Sequence, residues 1–231
     1  MGVVAELVLV RHGQSLANVA FPAADAEGLL EAEISGRDAE VPLTEFGERQ
    51  ARALGEWIGA RPADELPQVV ITSPYLRARE TWRLAAEASG IDLPEPSTDD
   101  RLVDRLLGDL EMLTRAAVAQ RYPGEAQRRA DAGEHHYTPP GGESFADIEV
   151  RLGAFLDDLH REHAGERVIV VAHDAVVLMT RAVVEGLTWE QVLAAEREAG
   201  NVRNASLSRF VAVGDHLELA YYNVVDHLPT D

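Results

Sequence analysis

Leu7-Val8-Leu9-Val10-Arg11-His12-Gly13-Gln14-Ser15 runs from four consecutive apolar residues straight into cationic and polar side chains. A short apolar run bounded in this way reads as a strand buried on both faces, the pattern of a parallel sheet. Val69-Val70-Ile71-Thr72 and Val168-Ile169-Val170-Val171-Ala172 read the same way. The second run passes into Ser73-Pro74-Tyr75-Leu76-Arg77 and the third into His173-Asp174. Open α/β sheets bind ligands beyond the carboxyl ends of their parallel strands. Three such strands therefore deliver two imidazoles and at least two guanidiniums to one rim.

Helical patterns separate the runs. Thr44 is an N-cap candidate, and Phe46, Leu54, Trp57 and Ile58 follow at helical spacing until Pro62. Residues 76–89 read as a second helix. Ser144 with Asp147 three positions later opens a third, with Phe145, Ile148, Leu152, Phe155, Leu156 and Leu159 inward and Gly165 expected at its C′ position. Ala175 to Val184 is apolar nearly all round and ends at Gly186, as a central buried helix would. Leu207–Val213 and His216–Tyr222 flank Gly214-Asp215, a two-residue hairpin signal. The expectation is an α/β fold, a three-layer α/β/α sandwich whose mostly parallel central sheet carries an antiparallel edge strand.

The 231 residues, 46% hydrophobic, suit a single domain over 1–231. Residues 21–40, rich in Ala, Asp and Glu, read as an inserted loop or short helix. Residues 109–143, whose Pro- and Gly-rich part begins at 121, read as a lid. No apolar stretch is long enough for a membrane span and no signal peptide is legible, so a soluble, cytoplasmic protein is expected. The absence of cysteine excludes disulfides and thiolate chemistry. A net charge of −19 argues against nucleic acid and anionic membranes as partners, and leaves a small anionic ligand only where cations are concentrated.

Two histidines and two arginines at one rim suit a phosphoryl group. Arginines bind its oxygens bidentately and a neutral imidazole can attack phosphorus. Phosphoryl transfer rests on positioning and charge stabilisation, so fixed cations can stand in for a metal, and neither metal nor cofactor is expected.

Arg11-His12-Gly13-Gln14-Ser15-x-x-Asn18 resembles the R-H-G-[EQ]-S-x-x-N signature of the histidine phosphatase superfamily, branch one, the phosphoglycerate mutase-like family. More of that pattern follows in order: Pro42-Leu43-Thr44-Glu45-x-Gly47, Ser73-Pro74-x-x-Arg77-Ala78-x-Glu80-Thr81, Leu102-Val103-Asp104 leading to Gly108-Asp109-x-Glu111, Gly141-Gly142-Glu143-Ser144 and Val171-Ala172-His173. The resemblance implies that His12 is the phosphorylated nucleophile, that Arg11, Arg77 and His173 form the phosphate cage, and that Asn18 contacts a substrate oxygen. Asp104 falls at the position of the acid that protonates the leaving oxygen, where many relatives carry Glu. Asp174 replaces the usual Gly after the second histidine and adds negative charge. An aspartic acid with an ordinary pKa of about 3.9 would have to titrate about three pH units higher, at a cost of about 4 kcal/mol, to be half protonated at neutral pH. Neighbouring carboxylates would push it that way, so an acidic activity optimum is expected.

The implied activity is a metal-independent phosphomonoesterase acting on a small phosphorylated metabolite. A cofactor-dependent phosphoglycerate mutase shares every cage residue. Its members carry an arginine pair closely followed by prolines, whereas Arg128-Arg129 stand nine residues from Pro139-Pro140. A non-catalytic phospho-ligand-binding module would have lost the nucleophile or a cage arginine, and neither is missing. Ser35, Gly36, Arg128, Arg129 and Asp174 are further candidates for substrate contact. Arg128 and Arg129 could equally pair with nearby acids. Adjacent His135-His136 in a Pro/Gly-rich loop read as solvent-facing, His160 and His163 as structural, Arg79 as a surface ion-pair residue, and Glu143 as a helix-start carboxylate. The chain is expected to be a monomer or a homodimer, the hairpin offering a dimer edge.

Overall fold

The computed structural model describes residues 2–228. One six-stranded sheet organises them: β1 (Glu6–Arg11), β2 (Val69–Thr72), β3 (Ser97–Thr98), β4 (Arg167–Ala172), β5 (Leu207–Val213) and β6 (His216–Val224). Their order across the sheet is β3-β2-β4-β1-β5-β6. The first four strands are mutually parallel, β5 joins β1 antiparallel, and β6 completes the hairpin at the edge.

Alternation along β1 splits its side chains between two cores. Leu7 and Leu9 join Val168 and Val170 of β4 beneath α6 (Phe145–Glu162) and α7 (Asp174–Glu185). Val8 and Val10 join Val70, Ile169 and Val171 beneath α2 (Glu45–Gly59) and α3 (Leu76–Ser89), where Leu54, Ile58 and Trp82 fill the layer. Both faces are covered, which is why these strands read as continuous apolar runs. Glycines allow α2 and α3 to approach closely: a Cβ on Gly55 would lie 2.1 Å from the Ala85 carbonyl oxygen. No helix among the described residues is long and apolar enough to cross a membrane.

Thr44 caps α2 by accepting the Gly47 N–H, and Ser144 with Asp147 forms a capping box on α6. The end of α6 differs from expectation. His163 is the C-cap and Gly165 lies two residues beyond it in the left-handed region, its N–H donating to the Val3 carbonyl. The chain after Ser15 also differs, because α1 (Leu16–Glu27) carries Pro22 inside it and takes up the first part of the 21–40 segment, ending at a left-handed Gly28. Within the lid segment the chain forms α4 (Arg115–Arg121) and α5 (Glu125–Ala132). The two-residue β3 and α8 (Trp189–Ala199) were not anticipated.

The two inserted segments meet each other. Thr114 donates to the Leu29 carbonyl, the Arg115 N–H donates to Asp25, and the Asp38 N–H donates to Glu111.

Candidate active site

The parallel strands end at a common level, and backbone hydrogen bonds hold the residues that follow them together. The His12 N–H donates to Ala172 and the Ser73 N–H to Val171, so His12, Ser73 and His173 emerge side by side. The loop after β1 is pinned from the other side by α2 and α3. Gly13 donates its N–H to Thr81, and the Gln14 N–H donates to Gln50. A Cβ on Gly47 would lie 2.0 Å from the Gln14 carbonyl oxygen, so only glycine admits this approach.

His12 is 2% exposed, His173 0% and Arg77 3%. The two imidazoles meet edge to face with centroids 5.2 Å apart. The tautomer of His12 follows from its partners. Nδ1 lies 2.7 Å from the Gly13 carbonyl, which can only accept, so Nδ1 carries the proton. Nε2 accepts the Arg77 Nε–H at 3.2 Å and is therefore the nitrogen that carries the lone pair. Burial, then His173, Arg77 and Arg11, push the His12 pKa well below 6.5, and burial with the same arginines does likewise to His173.

Arg77 organises the centre. Its Nη1 donates to the Asp38 carbonyl at 2.7 Å, its Nη1 and Nη2 meet the Asp38 carboxylate at 3.0 and 3.1 Å, and Nη2 donates to Asp104 at 2.9 Å. Burial alone would lower its pKa, but Asp104 and Asp38 outweigh that and raise it. Asp104 Oδ2 also stands 3.3 Å from His173 Nδ1, an atom that is buried without a hydrogen-bond partner, while His173 Nε2 is 2.8 Å from the Ser73 hydroxyl. Arg11 donates to the Val202 carbonyl and lies 3.4 Å from Asp174, and its Nε is likewise buried and unpartnered. His12, His173, Arg11, Arg77, Asp104 and Asp174 are thus brought together.

The other candidates divide. Asn18 sits beside the cluster with its side-chain oxygen committed to capping α1, accepting from Ser15 and from Asn204, so only its amide N–H groups remain to donate. Ser35 and Gly36 lie in an exposed stretch outside the adjoining cavity, and the nearby Asp38 reaches Arg77 instead. Arg128 and Arg129 do not line the adjoining cavity and pair with Glu125 and Glu134, Arg129 lining instead a neighbouring cavity that shares Arg105, Leu107, Leu110 and Leu113 with it. Glu143 is gripped by Arg151 through two hydrogen bonds, a structural arrangement. His135 is not solvent-facing as expected: it stacks on Trp189 with centroids 4.8 Å apart and contacts Glu149, whereas His136 is exposed. His160 accepts from the Val4 N–H and His163 meets Glu166, both structural contacts. Arg79 is exposed. Asp104 stands beside the carboxylates of Asp38 and Asp174, as expected, and its nearest charged partner is the Arg77 guanidinium.

A cavity of about 450 Å³ opens from the cluster, within the range of small-molecule sites. Its charged lining is Asp38, Asp104, Glu111, Asp174 and Glu196 against Arg105 alone. Arg105 was missed in the sequence although it follows Asp104. Its guanidinium lies over the Phe145 ring and binds Glu134 and the Tyr137 carbonyl, tying the lid segment to α6.

Residues 7–225 match the histidine phosphatase superfamily, branch 1, and the chain belongs to that superfamily. Over 196 residues it is 37% identical to the 2,3-bisphosphoglycerate-dependent phosphoglycerate mutase 2 of Gloeobacter violaceus, covering 83% of this chain and 81% of the relative. Over 205 residues it is 31% identical to the metal-independent phosphoserine phosphatase of Arabidopsis thaliana, covering 89% and 75%. A putative α-ribazole-5′-P phosphatase from Escherichia coli superposes with a TM-score of 0.76 at 23% identity, covering 96% of this chain and 97% of that one, which is a likeness of fold. A mycobacterial glucosyl-3-phosphoglycerate phosphatase in complex with VO3 superposes with a TM-score of 0.73 at 25% identity, covering 96% and 100%. Mutases and phosphatases both stand among these relatives.

Proposed function

We propose that the chain is a phosphomonoester phosphatase that works through a phosphohistidine on His12. His12 Nε2 attacks phosphorus in line, the bond to the leaving oxygen breaks, and Asp104 gives that oxygen its proton. Water then attacks phosphorus, Asp104 takes the water's proton, the P–N bond breaks, and phosphate leaves with His12 neutral again. Arg11, Arg77 and His173 hold the non-bridging oxygens throughout. The Asp38 and Asp104 carboxylates on the Arg77 fork occupy the places that phosphoryl oxygens would take. A phosphoryl group that takes those places frees the Asp104 carboxyl from Arg77 to serve the leaving oxygen.

The observation that carries hydrolysis over isomerisation is the charge of the cavity beyond the cage. A mutase working through a bisphosphate has to hold a carboxylate and a second phosphate. Here Asp38, Asp104 and Asp174 are taken up by the cage arginines, and Glu111 and Glu196 have no arginine partner among the described residues. The one further arginine on the wall, Arg105, is already engaged, and Arg128 and Arg129 pair with Glu125 and Glu134. The 37% identity to a phosphoglycerate mutase favours the second reading, isomerisation.

Chelator-treated enzyme is expected to release phosphate from phosphomonoesters. Isomerisation of 3-phosphoglycerate without phosphate release would give the site to the mutase reading. The pH profile adds an expected result. His12 must be neutral to attack, and its pKa lies well below 6.5, so the acid limb of kcat/KM falls below pH 6.5. A profile still rising to pH 9 would exclude Asp104 as the acid, and an acid limb centred on 6.5 would exclude the buried His12 as the attacking group.

A further inference from the structure

Beyond the phosphate cage the cavity has a character of its own. Phe21, Leu107, Leu110, Met112, Phe145 and Leu178 make its walls apolar. Glu196 of α8 and Glu111 of the lid segment also line it. Asp38, Asp104 and Asp174 each have an arginine partner. Glu111 accepts only the Asp38 N–H, and among the described residues Glu196 has neither a cationic partner nor a hydrogen-bond donor to its carboxylate. Burial and the charge of Asp174 raise the Glu196 pKa, the mark of a carboxylate in want of a counter-charge. Beside Asp104 and Asp174 at the inner end the chemistry reverses: His173 Nδ1 and Arg11 Nε are buried without a hydrogen-bond partner, as suits an anion that displaces those carboxylates. Anion-binding groups at the floor, apolar walls and free carboxylates thus define a ligand with three parts.

Resting on the phosphatase reading, we infer that this pocket selects phosphomonoesters whose alcohol part has an apolar body bearing an ammonium group, with Glu196 as the residue that reads the cation. The phosphoryl group lies on Arg11, Arg77 and His173, the apolar body contacts Phe145 and Leu178, and the ammonium lies against Glu196. A substrate with a second anion meets Glu196 and Glu111 as like charges and is rejected, since unfavourable charge placement discriminates as strongly as favourable contact does.

The test uses three esters on one ring: phenyl phosphate, 4-(aminomethyl)phenyl phosphate and 4-carboxyphenyl phosphate. The expected order of kcat/KM is ammonium, neutral, carboxylate, with a ratio between the extremes of at least about tenfold. In Glu196→Gln that ratio is expected to shrink several-fold. Comparing one set of esters on both enzymes cancels differences in leaving-group reactivity. A ratio near one, a preference for the carboxylate, or a ratio unchanged by Glu196→Gln overturns the inference while leaving the phosphatase standing. If none of the esters is hydrolysed, the phosphatase reading falls. Calorimetric titration of the same three esters into the unreacting enzyme then reads the pocket directly: tighter binding of the ammonium ester upholds its selectivity, and equal binding refutes it.

Discussion

Replacing His12 by alanine is expected to lower metal-independent phosphate release by at least about 10³-fold, because the covalent route is lost outright. The variant keeps Arg11, Arg77 and His173, so it should still bind inorganic phosphate and remain folded. The imidazole is only 2% exposed and sits among side chains held by other elements, so its removal leaves a small buried gap beside Arg77. The informative comparison is therefore turnover against phosphate affinity. Loss of turnover with affinity retained to within a few-fold identifies His12 as the nucleophile. Parallel loss of both, with the far-UV spectrum unchanged, would instead make it part of the phosphate cage. Turnover within tenfold of the parent would remove it from the chemistry.

Asp104→Asn is expected to have an effect that depends on the leaving group. A general acid contributes about 10²- to 10⁴-fold when the departing oxygen needs a proton. Alkyl phosphates should therefore lose rate in that range, whereas p-nitrophenyl phosphate, whose phenolate departs unaided, should lose far less in the first step. The amide preserves the shape of Asp104 but removes one negative charge from the Arg77 fork, which otherwise carries two carboxylates. Binding of phosphate should strengthen rather than weaken. An equal loss for both esters in the first step would place Asp104 in positioning Arg77 instead of in protonating the leaving oxygen.

The sequence made the centre of this molecule legible because the centre obeys local rules. β1, β2 and β4 are buried on both faces and so had to be short apolar runs, and each hands the chain to a polar residue at the ligand-binding end. Capping chemistry marked α2 and α6 in the same way. The elements that escaped notice carry weak local signals. β3 is two exposed residues, α8 has Val192 as its one fully buried residue, and α1 is an alanine-rich helix interrupted by Pro22.

The site was legible where a residue follows a strand and illegible where it arrives from an insertion. Asp38 lies in a stretch rich in Asp, Glu and Ala that resembles any solvated surface, and only the closure of the 21–40 segment onto β2 and α3 brings it to Arg77. Arg128 and Arg129 looked like the better cations, yet Glu125 and Glu134 lie close enough in the chain to capture them. Arg105, with no such pattern around it, is the arginine on the cavity wall. Asp104 also takes its arginine partner from outside its own stretch of chain. Its neighbours are set by tertiary contact with Arg77 and His173, 27 residues before it and far beyond it in the chain.

The most direct measurement is rapid acid-free quenching of a single turnover with ³²P-labelled substrate in chelator-treated enzyme, followed by denaturation in base. Phosphohistidine survives alkali and is lost in acid, the reverse of a phosphoester of serine under mild conditions. The expected result is a transient, base-stable, acid-labile phosphoprotein that forms before free phosphate appears, maps to the peptide containing His12, and is absent in His12→Ala. Release of phosphate with no such species at any time, or an identical labelled species in His12→Ala, would contradict a phosphohistidine on His12.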